Sequence, residues 1–360
     1  MAKNNTYNKI SQEKISQLVN NMVDGKRIFG AVMCVESGND SFSQAAAAGQ
    51  MQADSRYMIA SVTKLYVTAV VMRLIEEGRL SLEDKISVHL PEAYWQSIHV
   101  LNGKDNSREL TVKHLISNTS GLPDYFFHKQ ANGRTVADDL MEGNDASWHL
   151  DKTIGLVRNL KPKFRPGHKG KASYSDTNYQ LLGKIIELVT GQQIGEVFKE
   201  FIFSELGLKN TYAYADPSDT SPVPFYYKST RLWLPEYMAS VTVEGGIVST
   251  AAEVMLFIKE FFQGRFFQKE RIQDLKQWNL ILPPPGMFYF GIGLEKLFTP
   301  WIASPLKPVR DVLGFWGQTG SFAFHHPETD LYFTGTTNQI NGAGHRAAGG
   351  AMVSIIKSVL

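Results

Sequence analysis

The sequence predicts a mixed α/β protein in which both ends of the chain complete one sheet and a mostly helical segment is inserted between them. Three observations carry this. Strand-like apolar runs occur at Phe29–Val35 and again, rich in aromatics, near 288–294, 312–316, 321–326 and 331–337. Helix-period patterns at 8–24, 250–263 and 345–358 accompany those strands, and the middle holds helical segments broken by Gly and Pro, notably 111–117 and 177–190. Strands at the two ends with helices between them favour a single sheet with an insertion. The expected division is residues 1–95 with 236–360 as the sheet domain and 96–235 as the helical subdomain, with the active site between them.

In chain order, Ile10, Ile15, Leu18, Val19 and Met22 form a helical stripe, and Ser37-Gly-Asn-Asp turns the first strand into a second. Ser61 to Glu77 carries apolar residues on nearly every face, the pattern of a buried helix, with Gly78 just past its end. That puts Ser61 at or near the helix N-terminus. Neither repeats nor low-complexity tracts interrupt the chain.

With 360 residues, 43% of them hydrophobic and 20% charged, the chain can bury a large core. A formal charge of +2, from 37 basic and 35 acidic residues, gives nucleic acid or an anionic membrane no electrostatic footing as partner. The single cysteine, Cys34, excludes an internal disulfide and a cysteine-built metal centre, and its apolar neighbours make it a packed core thiol. Met1 to Tyr7 lacks the apolar run of a signal peptide, and no stretch approaches the ~20 apolar residues of a spanning helix. The chain as written is therefore expected to be cytoplasmic, or periplasmic or secreted if a leader has been removed.

Ser-x-x-Lys on a helix sets a hydroxyl and an ammonium on one face, the geometry of a nucleophile beside its base, with helix N–H groups available to a developing oxyanion. The spacing alone is weak, since it occurs at Ser11/Lys14, Ser61/Lys64, Ser304/Lys307 and Ser354/Lys357. Context selects Ser61, which opens a buried helix after the strand-like Arg56-Tyr-Met-Ile-Ala. A second element, Tyr174-Ser175-Asp176, precedes a helix. Its tyrosine can relay a proton to a lysine–serine pair, or the segment is only a packed ring and a helix cap. The third, Trp316-Gly-Gln-Thr-Gly-Ser321, lies between two strands. It either lets a substrate lie along a strand edge or is a Gly-rich hairpin turn.

Together the three elements resemble the signatures of the serine β-lactamase and penicillin-binding protein superfamily: Ser-x-x-Lys, Ser/Tyr-x-Asn and Lys-Thr-Gly. The branch with tyrosine in the second motif is the nearest: class C β-lactamases, D-alanyl-D-alanine carboxypeptidases, esterases and D-amino-acid amidases. Leu110–Asp124, Tyr174–Gly183, Leu206–Thr211 and Gly245–Thr250 look like that branch too. The resemblance implies a β-lactamase/transpeptidase-like fold, an antiparallel sheet flanked by N- and C-terminal helices plus a helical subdomain. It implies Ser61 as nucleophile, Lys64 as its base partner, Tyr174 as proton relay, and the N–H groups of Ser61 and Ser321 as oxyanion donors, with Asp176, Gln318, Thr319 and Gly320 beside the substrate. No cofactor or metal is required. Asp176 stands where asparagine is usual and would attract a cation, and neutral Gln318 replaces the lysine or histidine that favours a substrate carboxylate.

The expected activity is hydrolysis of a small ester, amide or peptide through a Ser61 acyl-enzyme, as in an esterase or D-alanyl-D-alanine carboxypeptidase. The alternatives are a β-lactamase, an acyltransferase, or a non-catalytic protein that binds a peptide-like ligand. His325-His326-Pro-Glu328 resembles a metal cluster, but strand alternation sends the two histidines to opposite faces. His114 reads as structural. Phe225–Trp233 either walls an acyl pocket or packs the helical part. Gly342-Ala-Gly344 lacks the Lys-Ser/Thr that phosphate binding would need.

Overall fold

The computed structural model describes residues 7–282, 288–297, 309–340 and 342–360. Helix α1 (Gln12–Met22) starts where Ser11 accepts the Lys14 N–H at 3.1 Å, so this Ser-x-x-Lys pair is a helix cap. Strands β1 (Gly30–Ser37) and β2 (Ser43–Gly49) form a hairpin, and the buried helix α2 (Thr63–Glu76) follows, ended by Gly78 at φ +69°. The middle of the chain is loops, helices and short strands paired in small sheets; α3 (Asp176–Thr190) is the longest helix described there, and α4 (Ala251–Gln263) returns to the main sheet. Six described strands of the main sheet then follow, β3 (Asn279–Leu282), β4 (Phe288–Phe290), β5 (Glu295–Leu297), β6 (Val312–Trp316), β7 (Ser321–His326) and β8 (Leu331–Thr336), and a short strand of another sheet, Gln339–Ile340, precedes helix α5 (Gly342–Val359).

These strands make one eight-stranded antiparallel sheet in the order β3-β4-β5-β6-β7-β8-β1-β2. The N-terminal hairpin joins the C-terminal strands through β1 and β8, with Val32 opposite Thr336 and Ser37 opposite Leu331. As the alternating pattern requires, one face buries Phe322, Phe324 and Phe333 against Ile15 and Val19 of α1 and Met352 and Ile355 of α5. The other face packs on α2 and α4, where Tyr66 stacks on Phe257, and that apolar cluster continues into the middle of the chain through Leu115, Tyr179 and Phe198.

Two local expectations change. The run 288–294 is not one strand: Gly291–Leu294 turns between β4 and β5, Gly293 sits at φ +62°, and a side chain there would strike Thr68 of α2 at 2.0 Å. Ser61 does not open α2 directly but lies in a 3-10 turn, Ala60–Val62, that leads into it. His325 and His326 do fall on opposite faces of β7: His325 stacks on Tyr332 at 4.0 Å, and His326 bonds the Thr329 hydroxyl at 2.8 Å. His114 completes a capping box with Thr111, and Gly342–Gly344 opens α5, which also contains Ser354 and Lys357. Ser304/Lys307 lies outside the described residues.

Candidate active site

The turn bearing Ser61 is held from three sides. Ile59 donates its N–H to the Ile247 carbonyl at 3.0 Å, and Ala60 takes φ +45°, a conformation that costs a non-glycine residue about 1–2 kcal/mol. Gly317 makes room for it, since a Cβ there would lie 2.4 Å from the Ile59 carbonyl and 2.0 Å from Ser321 Oγ. Thr319 Oγ1 donates to the Met58 carbonyl at 2.8 Å and Ser321 Oγ to the Ile59 carbonyl at 2.6 Å. The two hydroxyls of the third motif therefore tie the β6–β7 hairpin to the residues just before Ser61.

On that turn, Ser61 Oγ accepts from Lys64 Nζ at 2.9 Å and from the Tyr174 hydroxyl at 2.8 Å. Lys64 is wholly buried and donates also to the Glu244 carbonyl at 2.8 Å, with Asp176 Oδ1 at 2.8 Å. The contacts to Ser61 Oγ and the Glu244 carbonyl are hydrogen bonds, and the one to Asp176 is an ion pair. Tyr174 and Asp176 arrive together because the segment is clamped onto the loop before it: Ser173 N–H bonds the Asn118 carbonyl, Ser175 N–H bonds Asn118 Oδ1 at 3.1 Å, and the Ser175 and Thr177 hydroxyls bond the Pro123 carbonyl. Asn118–Asp124 is thus the mould in which the second motif is cast.

Asp176 does not present a free charge to a ligand, because its carboxylate is spent on Lys64. Trp316–Ser321 is a tight hairpin turn, with the Gly320 N–H on the Gly317 carbonyl at 2.9 Å. Gly320 sits at φ +77° within it. Gln318, near the tip of that turn, lines a cleft of about 570 Å³ that includes Ser61 and also a small hole of about 60 Å³ that includes Ser61 as well. Thr319 lines only the hole, and neither Gly320 nor Ser321 lines either cavity.

Three buried carboxyl groups escaped sequence reasoning. Burial and the neighbouring Asp176 carboxylate push Asp124 up to about 7, against the N–H groups of Asp176, Phe126 and Phe127 that bond it. Burial pushes Glu295 up to about 8 although the Trp316 N–H donates to it at 2.9 Å. Burial, then Asp176, hold Glu244 well above the ordinary carboxylate range, with Lys64 pulling the other way and the Tyr125 hydroxyl bonded to it. Asp124 lay inside a segment singled out for its resemblance, but no signal marked any of the three for burial. Burial and the carboxylates of Asp176 and Glu295 also raise Tyr174 well above a free phenol, so it rests as the neutral hydroxyl.

A family model described as Beta-lactamase matches residues 15–353. The chain belongs to the beta-lactamase family. Among its relatives in that family, penicillin-binding protein 4* of Bacillus subtilis is 25% identical over 272 residues, which are 67% of this chain and 53% of that one. A putative D-alanyl-D-alanine carboxypeptidase of Escherichia coli is 31% identical over 156 residues, 43% of this chain and 33% of that one. The chain thus spans about a third to a half of the length of the curated relatives it matches. Among solved structures, EstCE1, a hydrolase with promiscuous acyltransferase activity, superposes with a TM-score of 0.76 at 20% identity and 99% coverage of both chains. A D-stereospecific amidohydrolase from Streptomyces sp. superposes at 0.74 with 24% identity, covering 94% of this chain and 98% of that one. These likenesses give the β-lactamase/transpeptidase fold expected from the motifs.

Among the described residues no group of three or more His, Cys, Asp or Glu is placed to hold a metal ion, and no helix is long and apolar enough to cross a membrane.

Proposed function

We propose that the chain is a serine hydrolase that cleaves small esters, amides or peptides through an acyl-enzyme on Ser61. The observation that carries this is the meeting of Lys64 Nζ and the Tyr174 hydroxyl on one oxygen, Ser61 Oγ, at 2.9 and 2.8 Å. In acylation, Lys64 as the amine takes the Ser61 proton while Oγ bonds the substrate carbonyl carbon. The bond from that carbon to the leaving group then breaks, and the proton passes by way of Tyr174 to the departing oxygen or nitrogen. Water enters by the reverse route, gives its proton to the pair, and releases the acid and free Ser61. A phenol held neutral suits Tyr174 to proton donation. The Ser61 and Ser321 N–H groups are the oxyanion donors in this reading.

A relative named as a putative D-alanyl-D-alanine carboxypeptidase, and structural neighbours named as an amidohydrolase and a hydrolase with promiscuous acyltransferase activity, support hydrolysis as the reaction class. Carboxypeptidase action has one further observation in its favour: Lys163, bonded to Ser173 Oγ at 2.7 Å, lines the cleft and offers a cation to a substrate carboxylate that Gln318 does not. Hydrolysis of p-nitrophenyl esters, nitrocefin and a D-alanyl-D-alanine peptide by wild type and Ser61→Ala, with mass spectrometry of a fluorophosphonate adduct, tests the reading. Ser61→Ala is expected to lose at least ~10³-fold in kcat/KM and the adduct altogether. Folded wild type that neither turns over any substrate nor takes the label would return the chain to the non-catalytic alternative.

A further inference from the structure

Ser61, Asp176 and Gln318 are shared by two cavities that differ in every other respect. The larger, about 570 Å³, includes Tyr174; the smaller, about 60 Å³, does not and is the less open of the two. We infer that the small hole is the acyl subsite and that it restricts this chain to short, uncharged, apolar acyl groups. The inference rests on the acyl-enzyme reading above, names its substrate class, and sets aside carboxypeptidase action, whose acyl group is a peptide too long for the hole.

Three arguments carry it. The first is topological. In acylation the Ser61 Oγ–carbonyl carbon bond forms as the bond from that carbon to the leaving group breaks, and the leaving group needs both a proton and an exit. Tyr174, the donor, lines the cleft and not the hole, so the leaving group lies in the cleft and the acyl group, which stays on Ser61, takes the hole. The second is chemical. Phe126, Phe225, Leu234, Met238 and Ile340 wall the hole with buried apolar surface. Its two acids bring no free charge, because Asp176 is paired with Lys64 at 2.8 Å and Glu244 is bonded by Tyr125 and Gln180. A charged acyl group would enter unpaired and lose its hydration. The third is size. A water needs some 10–15 Å³ of such space, so 60 Å³ admits about four non-hydrogen atoms, an acetyl to butyryl group. Phe225 therefore belongs to the acyl wall, whereas Trp233, from the same aromatic stretch, packs edge-on against Tyr214 and does not line the hole.

The test is the series of p-nitrophenyl acetate, propionate, butyrate, hexanoate and octanoate, in which the leaving group is constant. The expected kcat/KM peaks at or below butyrate and falls at least 30-fold by octanoate. In Phe225→Ala, or in Met238→Ala if the first does not fold, the octanoate-to-acetate ratio is expected to rise at least 10-fold. Ethyl and octyl fluorophosphonates read the same preference as the rate of Ser61 labelling, without turnover. Ser61-dependent hydrolysis that climbs through octanoate, or a ratio unmoved by both folded variants, overturns the acyl assignment and leaves the serine hydrolase standing. Absence of Ser61-dependent turnover of every ester together with absence of labelling by either reagent overturns both.

Discussion

At the scale of single residues, the site is a charge balance around one lysine. Asp176 neutralises Lys64, and the cost of that carboxylate appears next door, where it helps push Asp124 up to about 7. In Asp176→Asn, Asp124 is expected to titrate at lower pH than in wild type, yet above the ordinary aspartate value, because burial is the larger cause and persists. Difference infrared titration of the carboxyl bands measures the shift, and an unmoved Asp124 band would sink the account. Ser61, Lys64 and Tyr174 are legible in the sequence because they belong to short motifs whose spacing, order and flanking elements fit one another. Asp124, Glu244 and Glu295 are not, because each is a lone acid whose burial is decided by segments distant in the chain.

At the scale of elements, the catalytic turn depends on a hairpin that never touches the nucleophile's oxygen. Thr319 and Ser321 bond the carbonyls of Met58 and Ile59, and Gly317 leaves just enough space for that approach. Gly317→Ala would drive a methyl group against a backbone carbonyl that has no rotamer in which to retreat. The expected result is a loss of 10-fold or more in kcat/KM and in the labelling rate with the fold retained by circular dichroism; unaltered kinetics would show that the turn does not need the hairpin. Strands β6 to β8 were legible because alternation and turn residues coincide there. Strands β3 and β5 are not legible, and the expected strand at 288–294 runs past β4 through the Gly291–Leu294 turn, because short apolar runs do not reveal where Thr68 of α2 requires a glycine.

At the scale of the whole molecule, burying ionisable groups sets the pH range of stability. Glu295 has a folded value raised from 4.5 to about 8, so the native state holds a proton that the unfolded chain releases, and stability falls as pH rises between those values. Glu295→Gln keeps an acceptor for the Trp316 N–H and removes the titration. Its melting temperature relative to wild type is expected to climb from pH 5 to pH 9, with a ceiling on the order of 4 kcal/mol; parallel curves would show that Glu295 is not buried as a neutral acid. The mixed α/β class and the sheet completed from both ends were legible, since strand and helix periods differ so plainly at 29–35 and 312–358. The pairing order was not, because hydrophobic alternation says which face a strand buries but not which strand lies beside it.

That pairing order also has a consequence for biosynthesis. Strand β1 is hydrogen-bonded on one side to β2, its neighbour in sequence, and on the other to β8, with Cys34 opposite Thr334. On a ribosome, the β1–β2 hairpin must carry an unpaired apolar edge until β8 and all that lies between them in sequence have been made. The nascent chain is therefore most exposed to misassembly during elongation, and chaperone demand should track the time between β1 and β8 leaving the exit tunnel.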